Sequence, residues 1–116
     1  MKKTFYISSA LLVLVILPAC QNNVKLSDKV SYEVYAKCAA TYGKSAGSMQ
    51  GVGKLKADSL SAIYFDKAIQ LSSKEAAAEK MAERTNYYGK LLQSGEKPYL
   101  DALLADIKEC NAYVAQ

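Results

Sequence analysis

The sequence predicts an all-α fold: a small antiparallel four-helix bundle in which residues 27–116 form a single helical domain. Three observations lead there. Apolar residues recur every three or four positions in four successive stretches, the period of an amphipathic helix. Glycine, proline and serine signals separate these stretches by short connections, which favours antiparallel neighbours. The inward-facing positions of the first and last stretches each hold one cysteine, Cys38 and Cys110.

The first helix is expected to open at Ser27, whose hydroxyl can cap it, with Asp28 near the positive end of the helix dipole. Val30, Val34 and Cys38 recur at four-residue spacing, flanked by Tyr35, Ala39 and Tyr42, so Cys38 points inward. Lys29, Glu33 and Lys37 follow the same spacing on another face, as a solvated ladder of charges would. Gly43, Gly47, Gly51 and Gly53 come next. In a continuing helix they would make a small-residue seam, but each interior glycine costs about 1 kcal/mol relative to alanine. The reading adopted is a helix that frays or breaks between Gly43 and Gly53.

A second helix is expected from about Leu55 to Leu71, with Leu60, Ile63, Tyr64, Ala68 and Leu71 on one face. Ser72 and Glu75 then form an S-x-x-E capping box opening a third. Its inner stripe reads Ala77, Met81, Thr85, Tyr88 and Leu92, leaving Glu79, Lys80, Glu83 and Arg84 outside. Gly95 is a stop and Pro98 a start for the fourth helix. There Leu100, Leu103, Leu104, Ile107, Cys110 and Val114 form one broad apolar stripe.

Ahead of this domain, Lys2 and Lys3 precede an apolar run from Ala10 to Leu17 that closes on Pro18, Ala19 and Cys20. A charged start followed by a short apolar run is the pattern of an export signal, and the run is shorter than the roughly 20 residues a membrane span needs. Residues 1–19 are therefore read as a removed signal peptide and residues 20–26 as a polar tether. The tetrapeptide Leu17-Pro18-Ala19-Cys20 resembles the lipobox of bacterial lipoproteins, with Pro18 where Ser, Ala or Thr is commoner. That resemblance implies a diacylglyceryl group on the Cys20 thiol, cleavage before Cys20 and acylation, such as by palmitate, of the new amine. The other reading is an ordinary cut after Ala19, which wants a small residue where the bulky Leu17 stands. Gln21, rather than Asp, resembles the outer-membrane sorting pattern of enteric lipoproteins, which implies a lipid-anchored protein of the cell envelope facing the periplasm.

Three cysteines in an oxidising compartment leave one without a partner inside the chain. With Cys20 committed to lipid, Cys38 and Cys110 are free to form a disulfide that staples the first helix to the last. The formal charge of +4 falls to +2 once Lys2 and Lys3 are set aside. The remaining positive charges alternate with acids along the helices, so no nucleic-acid partner is expected.

The chain has no histidine, which removes the commonest general base and the usual zinc and haem ligand. The Gly-Lys pairs at Gly43 and Gly53 fail the phosphate-loop spacing. Glu75, Glu79 and Glu83 read as a solvated helix face rather than an acid–base pair. An enzyme, a metal site and a cofactor are accordingly not expected.

Tyrosine is the unusual feature, with nine residues and no tryptophan. Adjacent helical residues lie about 100° apart, so one ring of each pair Tyr64–Phe65 and Tyr87–Tyr88 should reach solvent. Tyr32, Phe65 and Tyr87 are the candidate contacts for a protein partner in the envelope. The expected function is non-enzymatic binding. In outline the chain is similar to small disulfide-bonded helical immunity proteins, which implies an inhibitor-like role. The alternative is a carrier of a small apolar ligand in a cavity between helices lined by tyrosine and leucine. A structural envelope component is the third reading.

Overall fold

A computed structural model of the chain describes residues 24–114. The expected signal peptide, Cys20 and the first part of the tether lie outside these residues. Four helices follow in order: α1 Tyr32–Ala46, α2 Gly51–Leu71, α3 Lys74–Ser94 and α4 Glu96–Val114. Among the described residues no helix is long and apolar enough to cross a membrane.

The centre of the fold is α1. Nine of its 15 residues are buried, against three of 21 in α2, because it packs against all three other helices. Its composition allows this: Ala36, Ala39, Ala40 and Ala46 let neighbours approach its backbone closely. The approach of α2 is close enough for Ser61 Oγ to donate to the Ala39 carbonyl at 2.7 Å. A Cβ on Gly43 would sit 3.5 Å from the same hydroxyl oxygen.

Cross-helix partners set where α4 meets α1. Along α1, Lys37 meets Glu109 at 3.0 Å and Cys38 is bonded to Cys110, while Thr41 reaches α4 near Asp106 through Tyr88. These contacts mark where α4 crosses α1, and the four-helix arrangement is consistent with the antiparallel expectation. The Cα atoms of Cys38 and Cys110 are 5.7 Å apart, and the bond spans 72 positions of sequence.

The structure corrects several local expectations. The cap of α1 is Ser31, whose hydroxyl accepts from the Glu33 amide, not Ser27. Ser27 instead holds a preceding turn: its hydroxyl accepts from the Lys29 amide and its carbonyl accepts from the Tyr35 hydroxyl. Val24 and Leu26, assigned to the tether, pack on the core. The charges of the supposed ladder reach other helices, Lys37 pairing with Glu109 and Glu33 with Lys80 at 3.3 Å.

The break after α1 falls where expected, at residues 47–50, but α2 starts at Gly51, a turn ahead of Leu55. Gly51 has φ +63, a backbone conformation that glycine tolerates without strain. Ser73, not Ser72, caps α3, with its hydroxyl accepting from the Ala76 amide. The Ser72 hydroxyl is already used at the end of α2, where it donates to the Ala68 carbonyl at 2.6 Å. Gly95 stops α3 as expected, at φ +146.

On α4 the buried residues are Tyr99, Leu103, Asp106 and Cys110. The predicted stripe is therefore rotated: Leu100 and Leu104 face solvent, with Leu104 61% exposed. Leu92, assigned to the inner stripe of α3, is also exposed.

Closing a loop of this length restricts the unfolded chain by roughly 4 kcal/mol in the chain-entropy model. The double variant Cys38→Ala/Cys110→Ala is expected to lose about that much stability, a large part of the 5–15 kcal/mol typical of a domain. Urea unfolding of oxidised parent and variant measures it, and unchanged stability would contradict the role assigned to the bond.

Candidate functional site

Two buried clusters lie against α1. The first gathers around the disulfide. Cys38 and Cys110 are fully buried there with Tyr35, Tyr64 and Ala68, and Tyr42 is nearly so. The ring of Tyr64 stacks on Tyr42 with centroids 5.5 Å apart, and tilts against Tyr35 at 5.7 Å. Each buried hydroxyl finds an acceptor: Tyr64 donates to the Cys110 carbonyl and Tyr42 to the Asn111 side-chain oxygen. Burial raises the pKa of both phenols well above the ordinary tyrosine value, so both remain neutral donors.

The second cluster joins α1, α3 and α4 by polar contacts inside an apolar surround of Tyr99, Leu103, Leu91 and Ile107. Asp106 is its acceptor. One oxygen, Oδ2, receives Arg84 Nε at 3.2 Å, Arg84 Nη2 and the Tyr88 hydroxyl. The Tyr88 oxygen lies 2.7 Å from the Thr41 hydroxyl, which also reaches the Lys37 carbonyl of its own helix at 2.9 Å. With Tyr88 donating to Asp106, the single Thr41 proton is shared between the Lys37 carbonyl and the Tyr88 oxygen.

Burial pushes the Tyr88 phenol up to about 12, and its hydrogen bond to Asp106 acts in the same direction. For Arg84, burial opposes the charge, but the hydrogen bonds to Asp106 and Tyr88 outweigh it and raise the pKa. The cluster is thus a mutually satisfied ion pair with its phenol neutral. In such a pair desolvation offsets much of the attraction, whereas removing one partner leaves the other charge buried and unpaired.

This corrects the placement of Arg84 on the outer face of α3. Its guanidinium turns inward to Asp106 and also lies 4.2 Å from the centre of the Tyr87 ring. Sequence reading did not single out Asp106, although a signal existed. It falls three residues after Leu103 and four before Cys110, so a lone acid stood on the face assigned to the core.

The three candidate contact residues are distributed rather than gathered. Tyr32 and Phe65 are half-buried and pack against the disulfide cluster from α1 and α2. Tyr87 is exposed on α3, beside the fully buried Tyr88, as the pair argument expected. Glu75, Glu79 and Glu83 are exposed along α3. A surface groove of about 550 Å³ runs between the entering chain and α2. Its apolar Val24, Leu26 and Ile63 alternate with Lys25, Asp66 and Lys67, a lining unlike the tyrosine and leucine cavity of the carrier reading. Among the described residues no group of three acidic, cysteine or histidine side chains is placed to hold a metal ion.

Comparison with protein-family models, with characterised proteins and with solved structures finds no match to this chain.

Truncating Asp106 strands both Tyr88 and Arg84, whereas truncating Arg84 leaves Tyr88 bonded. Asp106→Ala is therefore expected to cost about 2–4 kcal/mol and to exceed Arg84→Ala, whose partly exposed side chain is also the easier to lose. Urea unfolding ranks the two, and a cost for Asp106→Ala no larger than that of a surface change, about 0.5 kcal/mol, would contradict the network.

Proposed function

We propose that this protein is a lipid-anchored component of the bacterial cell envelope that binds another protein and carries out no reaction of its own. Support for the address comes from the lipobox-like Leu17-Pro18-Ala19-Cys20 and from the buried Cys38–Cys110 bond, since disulfides persist in oxidising compartments. The observation that carries the binding reading is the pair Tyr87 and Arg84. Tyr87 is 41% exposed, and the guanidinium over its ring is itself held by Asp106.

Tyrosine and arginine are the residue types that most often dominate binding energy at interfaces. A side chain already ordered before association loses less entropy on binding, so the buried network serves as a rigid support for this contact. Chemistry is a poorer use of the same residues. The carboxylate, phenol and guanidinium are committed to one another, and the two cysteines to their bond.

Affinity capture from envelope extract tests this reading. The intact protein is expected to recover one stoichiometric partner, and Tyr87→Ala to weaken recovery about tenfold or more without loss of helicity. Tyr32→Ala, which alters a half-buried ring, serves for comparison. Absence of a partner, or full recovery by the Tyr87 variant, would reject the proposal.

A further inference from the structure

The turn between α1 and α2 keeps apolar side chains in solvent that pack on neither core cluster. Met49 is 37% exposed, Val52 66% and Leu55 68%. Val52 and Leu55 are three apart on α2 and so share a side of the helix. The Met49 sulfur lies 3.8 Å from where a Cβ on Gly53 would stand, beside the first turn of α2. Every residue from Gly47 to Leu55 is exposed.

The chain that forms this tip carries charge of one sign as far as Asp58. Between Glu33 and Asp58 the chain contains no acid but four lysines, Lys37, Lys44, Lys54 and Lys56. Lys37 is taken by Glu109, and Lys54 touches Asp58 in an exposed pair at 2.7 Å. Exposed pairs of that kind contribute little and exchange readily with other anions. Gln50 makes no side-chain bond to the first turn of α2, which leaves amide donors there without a side-chain cap.

We propose that the α1–α2 tip is a membrane-contact site that inserts Met49, Val52 and Leu55 among anionic phospholipids, with Lys44, Lys54 and Lys56 on the headgroup phosphates. Apolar side chains rimmed by lysines are the composition of surface-bound elements at a lipid interface, and charge complementarity selects anionic lipid. The fold suits it. The tip begins α2, and the groove holding Val24 and Leu26 meets the same helix at Ile63, about 17 Å further along at the helical rise. An α2 lying along the surface would bring both the entering chain and the tip to it. This contact is separate from the protein-binding reading and does not depend on Tyr87.

The chain lacks tryptophan, so Leu55→Trp places a single reporter on an exposed position of the full chain. Its emission is expected to shift to the blue with vesicles containing phosphatidylglycerol and to stay unchanged with phosphatidylcholine alone. Adding Val52→Asp should weaken partition into the anionic vesicles about tenfold. A reporter at the equally exposed Leu104 should not shift. No shift with phosphatidylglycerol, an equal shift with phosphatidylcholine, or the same shift at position 104 would overturn the proposal. So would Leu55→Asp abolishing capture of a protein partner when the vesicles produce no shift, which would assign the tip to that partner.

Discussion

The bond between Cys38 and Cys110 ties the central helix to the last one, and much of the surrounding arrangement takes its geometry from it. Once Cys110 is held against α1, the next residue, Asn111, comes within reach of Tyr42, and the Cys110 carbonyl becomes the acceptor for Tyr64. Glu109 on the other side meets Lys37. One covalent constraint thus aligns three polar contacts. It also matters energetically, because a domain this small buries a modest share of its chain and has little margin over conformational entropy.

A second constraint sits further along α4. The disulfide fixes where α4 touches α1, and Asp106, about one turn away, fixes how it rotates against α3. Together they explain why Tyr99, Leu103, Asp106 and Cys110 face inward while Leu100 and Leu104 do not. An apolar core made largely of alanine and tyrosine discriminates weakly between rotations of a helix. A buried carboxylate with three donors discriminates strongly, since any other rotation would leave it unpaired.

The elements themselves were legible in the sequence, because periodicity and punctuation are local. Four helices, the break near Gly47, the stop at Gly95 and the inward cysteines all follow from spacing. What escaped depends on competition or on distance. Two serines stood near the start of α1 and two near the start of α3; the choice between Ser27 and Ser31 turned on a bond from Tyr35, and that between Ser72 and Ser73 on the end of α2. Arg84 was assigned outward because charges usually are, and only the position of Asp106 on another helix reverses that. The exposed tip at Val52 and Leu55 was not legible either, because periodicity does not reveal that α2 begins a turn early and extends beyond its packing.

The candidate site shares that pattern: Tyr87 could be named from its neighbour Tyr88, but its support by Arg84 and Asp106 could not. Behind the proposed function lies a division of the three cysteines, two joined in the domain and Cys20 reserved for lipid. The intact mass of protein recovered from the envelope, alkylated without reduction, tests that division most directly. The account predicts a chain that begins at Cys20, carries acyl groups and takes up no alkylating reagent. Two alkylated thiols, or an unacylated Cys20, would contradict it.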